Sequence, residues 1–371
     1  MSSSRLLPSQ LESKLSHSHI PALDGLRAVA VFLVIVAHFG FEMVPGAHGV
    51  MIFFVLSGFL ITWLLLKENE RHGTISLAAF YKRRTLRIFP AFYVYWLIMV
   101  TILVGTGRSV LWPHAWSALF YTSNYYSAIN GDPNNGFSHT WSLAIEEQFY
   151  LLWPFVFLML RGNLKRMTVF LAALIGTVWI YRAILCFVFH VDQAYIYASF
   201  DTRLDELMVG CLVAVLLKRR ALAGLWRVIS ANAFLPLATI AILAVSIYGG
   251  ELYIARYRDV FGFAIEPLLV AILVVQMISF SSTGLWKWTE WSGIKFLGRI
   301  SYSLYLYQQL TLHAVKKALG AYPELVQLAG AILVTILIAT ISHYVIERPF
   351  LKLKSVSPRL RKKLVYEAAT Q

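Results

Sequence analysis

Apolar runs recur from Leu26 to Ile346 with no long polar interruption, a pattern built for a bilayer rather than for a soluble core. A hydrocarbon core takes about 20 mainly apolar residues per helix. On that ruler the chain predicts ten spans: 26–45, 49–66, 89–106, 141–160, 167–190, 206–217 with a short upstream extension, 233–249, 262–280, 296–317 and 325–346. The expected fold class is therefore all-α, a polytopic membrane helix bundle of about ten transmembrane helices. An even number puts both termini on one side. The expected organisation is a polar N-terminus over 1–19, one transmembrane domain over 20–350 and a basic tail over 351–371. Neither a sequence repeat nor the inverted halves of many transporters is evident.

Composition agrees with this. Of 371 residues 58% are hydrophobic and 14% charged, and the mean hydropathy is +0.64, whereas a soluble chain is about a quarter charged. The net charge of +14 raises the question of nucleic acid. Laid on the alternation of spans, roughly four fifths of the Lys and Arg fall on the side of the N-terminus, so the excess records topology with both termini cytoplasmic. No nucleic-acid partner is expected. Cys186 and Cys211 lie in apolar surroundings outside any CxxC or Cys/His pattern, so no metal site is indicated. The first 22 residues lack a basic start and an apolar run, which argues against a cleaved signal and for insertion by the first span. The longest outer segment, 107–140, carries Trp112, Trp116 and Tyr121 as interfacial aromatics and then the turn-rich NGDPNNG.

Charged and polar groups inside spans carry the candidate chemistry, because each is costly there without a reason. Arg27 and His38 lie eleven residues apart, about three turns, so they share a stripe roughly 16 Å long with Arg27 at the cytoplasmic mouth and His38 deep in the protein. Anchoring for the arginine and helix-to-helix hydrogen bonding for the histidine are the plainer alternatives. Arg84 and Arg87 in YKRRTLRIFP are three apart, a spacing that turns two guanidinium forks one way toward phosphate oxygens; topology and headgroup contact are the plainer alternative. HTWSLAIEEQFYLLWP, residues 139–154, brings Ser142, Glu146 and Glu147 into the fourth span, and Glu146 is the expected functional acid. DTRLDELMVG places Asp201, Arg203 and Asp205 at the outer end of the sixth, where mutual pairing is expected. Ser57 in FFVLSGFL lacks a GxSxG elbow, and its Ser-Gly reads as helix packing. His19 and Asp24 match an HxxxxD spacing interrupted by Pro21, which is discounted.

Together these strings, PALDGLRAVAVFLVIVAH, FFVLSGFLIT, YKRRTLRIFP, HTWSLAIEEQFYLLWP, FLGRISYSLYLY and ERPF, resemble the membrane acyltransferase 3 family over nearly the whole chain. Relatives in that family O-acetylate lipopolysaccharide and other surface glycans. The family's Arg-x10-His motif falls on Arg27 and His38, and its RxxR on Arg84 and Arg87. Met51 stands where an acid is often found, and Gln308 follows SYSLYLY where a histidine is often found. The fused esterase-like domain of some members is not expected here.

The resemblance implies an inner-membrane O-acyltransferase with acyl-CoA, most simply acetyl-CoA, as donor substrate and with no tightly bound cofactor. Arg27, Arg84 and Arg87 are then the acyl-CoA-binding residues, His38 the general base or acyl relay, and Glu146 the residue that orients it. Ser142, Asp201, Arg203 and Asp205 are the expected acceptor-binding residues. The partners are the bilayer, acyl-CoA and a glycan, lipid-linked sugar or small hydroxylated acceptor. A transporter or flippase using the same Arg, His and Glu as a pathway is the alternative, and it leaves Arg84 with Arg87 no task.

Overall fold

A computed structural model describes residues 7–17, 19–253 and 256–353. The basic tail expected over 351–371 lies outside the described residues from 354 onward. The described residues form an all-helical protein without a β-strand. Ten helices overlap the ten segments predicted as spans, though not all of them are long and apolar enough to cross a membrane: α1 (Pro21–Phe39), α2 (Gly46–His72), α3 (Leu77–Gly105), α4 (Thr140–Met159), α5 (Leu164–Phe187), α6 (Phe200–Lys218), α7 (Leu235–Tyr253), α8 (Phe263–Phe280), α9 (Ser301–Ala318) and α10 (Glu324–Ser342).

Among the described residues six helical stretches are long and apolar enough to cross a membrane: α1, α2, α3, α5, α8 with its preceding turn, and α10 with its following turns. A shorter apolar helix covers Leu235–Gly250. The reason α6 falls outside this set is chemical, since Asp201, Arg203, Asp205, Glu206 and Lys218 sit on its nineteen residues. Only a helix shielded by protein can hold that many charges at membrane depth.

Two compact units partition the chain. The first comprises residues 1–75 and 111–305, the second 76–110 and 306–371. In the first, α2 is apolar all round and buried along most of its length, as a central helix should be. It packs against α1 and most extensively against α6, and α6 packs in turn on α5. By contrast α5 exposes Val169, Ile180, Ile184 and Phe187, an apolar outer face suited to lipid. The outer segment is structured: helices Trp112–Leu119 and Ser123–Asn130 lie between α3 and α4 in sequence, and the second packs on α4.

In the second unit α3 packs against the turns that follow α10, at His343–Glu347 and Arg348–Lys352. Its interior is tied by aromatic and hydroxyl contacts. The Tyr95 and Tyr307 rings meet edge to face at 5.7 Å, Ser342 donates to the Tyr307 hydroxyl at 3.3 Å, and Thr311 meets Thr335 at 2.5 Å. Ser76 begins α3 as its cap, accepting from the Ala79 amide.

Candidate functional site

α4 runs through the first unit with Glu146 and Tyr150 turned toward α2. The two helices hold the expected acid between them: the Ser57 hydroxyl donates to Glu146 Oε1 at 2.7 Å, and the Tyr150 hydroxyl donates to Ser57 Oγ at 3.0 Å. Glu146 and Tyr150 are four apart, so one helical turn brings both to the same face. The hydroxyl–hydroxyl–carboxylate chain fixes Glu146 from a residue that reads in sequence as a packing position. Helix packing is nevertheless real at its neighbour Gly58, which abuts α6. Ser57 thus serves both readings.

Ser142, one turn before Glu146, points into a second hydroxyl cluster. Its Oγ lies 2.5 Å from the Tyr305 hydroxyl, and Tyr305 donates to the His139 carbonyl at 2.9 Å. The Ser142 hydroxyl also reaches the His139 carbonyl, at 3.2 Å, so whichever of the two hydroxyls donates to that carbonyl leaves the other to donate across the Ser142–Tyr305 contact. The Phe53 and His139 rings flank Tyr305 at 6.2 and 5.5 Å. Nothing in the spacing of the sequence foretells Tyr305 as a partner of Ser142.

Arg27 sits in the second turn of α1 with its Nη1 3.9 Å from Asp24 Oδ1. The other carboxylate oxygen of Asp24 lies 2.8 Å from His19 Nε2, so the discounted His19 and Asp24 do meet across Pro21. Asp24 is buried while the His19 side chain is 60% exposed, and their role visible here is to anchor the start of α1 beside Arg27. His38 is the penultimate residue of α1 and is exposed, which corrects the expectation that it lies deep in the protein. The helix ends at Gly40, whose φ of 123° is open to glycine, so His38 belongs to a terminal turn and not to a mid-span position. Arg84 and Arg87 are half-buried on the first half of α3 in the second unit, with the Arg84 guanidinium 6.0 Å from the Phe80 ring centre.

The Asp201, Arg203, Asp205 cluster is the clearest correction, because the three do not pair with one another. Neighbours two apart on a helix point away from each other, and 201 with 205 are like charges. Asp201 accepts from Tyr181 at 3.0 Å, Tyr195 at 3.1 Å and Tyr125 at 3.5 Å. Outside the spans, burial and this carboxylate push the Tyr125 hydroxyl up to about 12. Asp205 takes both forks of Arg182, at 3.1 and 2.9 Å, and also the Trp179 indole at 2.9 Å, while Arg182 donates to the Thr202 carbonyl. Arg203 turns to Glu206 three residues on, Nε to Oε1 at 2.7 Å. All four of these ion-pair residues are fully buried.

A further buried pair escaped the sequence reading: His48 Nε2 lies 2.8 Å from Glu266 Oε2, and Ser246 donates to Glu266 Oε1 at 2.8 Å. Residues 218 apart meet there, which no local pattern reveals. Among the described residues no group of three His, Cys, Asp or Glu is placed to hold a metal ion.

The chain is 32% identical over 357 residues to a putative peptidoglycan O-acetyltransferase, YrhL, of Bacillus subtilis, covering 90% of this chain and 55% of that protein. It is 32% identical over 375 residues to O-acetyltransferase OatA of Staphylococcus aureus, covering 92% of this chain and 59% of the relative. A third, peptidoglycan O-acetyltransferase OatA of Listeria monocytogenes, is 29% identical over 360 residues, covering 92% and 57%. The chain thus spans under three fifths of the length of these relatives. No solved structure matches it. The model of the acyltransferase domain matches residues 20–344, from the anchored start of α1 to just past the end of α10. On that match, this multi-pass membrane protein belongs to the acyltransferase 3 family.

Proposed function

We propose that the chain is an O-acyltransferase that moves an acyl group, most simply acetyl, from cytoplasmic acyl-CoA to a hydroxyl of a cell-surface glycan. It works in the inner (plasma) membrane with both termini cytoplasmic. The single observation that carries the assignment to this site is Glu146, a carboxylate held at 2.7 Å by Ser57 in the helix pair α2 and α4 within the family match. A carboxylate so fixed suits orienting an imidazole. The peptidoglycan acetylation named for the relatives makes that polymer the first acceptor to try.

In this reading Arg84 and Arg87 hold donor phosphates and Arg27 guides the arm that carries the thioester. The acceptor oxygen attacks the thioester carbonyl while a ring nitrogen of His38 takes its proton. The C–O bond forms, the C–S bond breaks, and the proton passes from His38 to the leaving thiolate. Glu146 orients the imidazolium and stabilises its charge. Ser142 and the α6 residues Asp201, Arg203 and Asp205 face the acceptor side of the reaction.

The test is genetic and chemical together. The gene is deleted, acyl groups on surface glycans are compared by mass spectrometry, and the strain is complemented with wild type, His38→Ala or Glu146→Gln at matched membrane levels. Loss of a defined acyl mass that only wild type restores supports the reading. Unchanged acylation on deletion, or full restoration by His38→Ala, overturns it, and a transport role would then be the one to pursue.

A further inference from the structure

Two arginine–carboxylate pairs meet at the first turns of α6, and they differ in one respect. Arg182, on α5, meets both oxygens of Asp205, with Trp179 and the Thr202 carbonyl taking up further capacity, and only a donor, Arg182 Nε, is left over there. Arg203 and Glu206 remain open. Arg203 spends Nε on Glu206 Oε1 at 2.7 Å and Nη1 on the Tyr197 carbonyl at 3.1 Å. Arg203 Nη2 and Glu206 Oε2, both fully buried, have no hydrogen-bond partner.

These two leftover groups belong together. Nε and Nη2 occupy the same edge of a guanidinium, so the donor left over lies on the side that faces the carboxylate, whose second oxygen is the acceptor left over. Unmet buried groups of opposite character are costly, and a native fold meets them with a partner. The partner must accept from nitrogen and donate to oxygen at once. An alkyl hydroxyl does this with a single atom; a phosphate or a carboxylate has no proton for Glu206.

The surroundings select the rest of that partner. Arg203 lies 3.9 Å from the Phe263 ring centre, 5.2 Å from Tyr197 and 5.7 Å from Trp141. Trp141 and Tyr197 meet each other at 4.8 Å. Tyr197 is half-buried, which makes it the more accessible wall. Aromatic walls around a charged hydroxyl slot offer apolar partners for C–H groups and specific ones for O–H groups, a combination that matches a sugar ring.

We propose that Arg203 and Glu206, walled by Trp141 and Tyr197, form a sugar-hydroxyl subsite in which one acceptor hydroxyl accepts from Arg203 Nη2 and donates to Glu206 Oε2. The subsite rests on the transfer reading for its place in the reaction, and its binding of sugar is measurable without any transfer. It adds Glu206 and the two aromatic residues to the acceptor side, and it gives Arg203 a direct contact with the acceptor hydroxyl.

The experiment uses the full chain in detergent with the disaccharide N-acetylglucosaminyl-N-acetylmuramic acid as probe and no acyl donor, binding being followed by calorimetry. Glu206→Gln keeps an oxygen for Arg203 Nε and replaces the other acceptor by a donor. It and Arg203→Lys should weaken binding about tenfold or more, the scale of a lost hydrogen bond to a charged group. Unchanged affinity in both variants, or a wild type that does not bind the disaccharide, overturns the subsite. Should Glu206→Gln fail to fold, Glu206→Asp decides, since it keeps the charge and withdraws it by one methylene: weakened binding supports the subsite and unchanged binding overturns it. A parallel transfer assay with acetyl-CoA separates the two ideas. Binding that depends on Glu206, in a wild type that transfers nothing to any glycan, overturns the acyltransferase reading and leaves the subsite standing. Where transfer does occur, the variants should raise the acceptor KM and leave the donor KM as it was.

Discussion

Gly58 on α2 and Gly210 on α6 are reciprocal: a methyl on the first would strike the Leu207 carbonyl, and a methyl on the second would strike the Val55 carbonyl. Each glycine is the gap through which the other helix passes. This close approach brings Ser57, one residue earlier, to its fixed height opposite Glu146.

Gly58→Ala and Gly210→Ala should therefore each destabilise the first unit by roughly 1–3 kcal/mol, the usual cost of overpacking a filled interior. Titration with a denaturing detergent, followed by circular dichroism, measures it. Wild-type resistance in both variants would mean that the helices part without cost.

Ser57→Ala removes the donor to Glu146 without changing bulk appreciably. The expected result is a kcat lower by about ten- to a hundredfold, the worth of a hydrogen bond to a charged group, with the donor KM little altered. Tyr150→Phe acts one bond further away and should cost less. Steady-state transfer rates of purified variants in liposomes decide this, and equal rates for Ser57→Ala and wild type would remove Ser57 from the mechanism.

Asp205→Asn leaves the fully buried Arg182 without its counter-charge. Breaking such a pair from one side costs about 3–5 kcal/mol, so this variant should insert poorly or unfold early in the same detergent titration. The double variant Arg182→Met, Asp205→Leu should recover much of the loss, because it removes both buried charges together. A double variant no better than the single would show that the pair is not the origin of the loss.

His114, in the helix Trp112–Leu119 outside the spans, is buried and stacked on Tyr126 at 4.7 Å, with Nδ1 3.1 Å from Asn135 Oδ1. Burial lowers its pKa from 6.5, only partly offset by the Asn135 bond and Asp132. The folded segment therefore prefers neutral His114. The unfolded segment takes up a proton first on acidification, so this stability is present above pH 6.5 and is lost as pH falls from there through the lowered folded value. Corrected for the base-catalysed intrinsic rate, hydrogen exchange over 112–137 should show less protection at pH 5 than at pH 7.5, and His114→Gln should reduce the difference. Identical protection at both pH values would refute the assignment.

The apolar segments were legible because hydropathy is a local property, and each of the ten overlaps a helix, six of them in stretches long and apolar enough to cross a membrane. Glu146 was legible for a similar reason: an acid in an apolar run announces its own cost. Its holder Ser57 was not, because a serine inside an apolar run is cheap and its partner lies 89 residues away. The error at Asp201, Arg203 and Asp205 came from treating nearness in sequence as nearness in space. Helical geometry already pointed from Arg203 to Glu206, three apart, and sent Asp205 to seek a partner on another helix. Arg182 and Asp205 meet over 23 residues, and His48 and Glu266 over 218, distances at which a single sequence gives no pairing signal. His38 was placed too deep because the predicted span ran to residue 45, past the stop at Gly40.

One short stretch decides where α8 aims its side chains. Residues Arg258–Gly262 form a π-helical turn, wound wider than the α-helix that follows. Such a turn amounts to one residue inserted into a regular helix. Everything downstream is rotated by about 100° relative to a chain lacking that residue. Phe263 beneath the Arg203 guanidinium and Glu266 against His48 owe their bearings to this single extra peptide. The turn works as an indexing step: shortening it by one residue would swing both side chains off their partners while leaving the composition of the helix untouched.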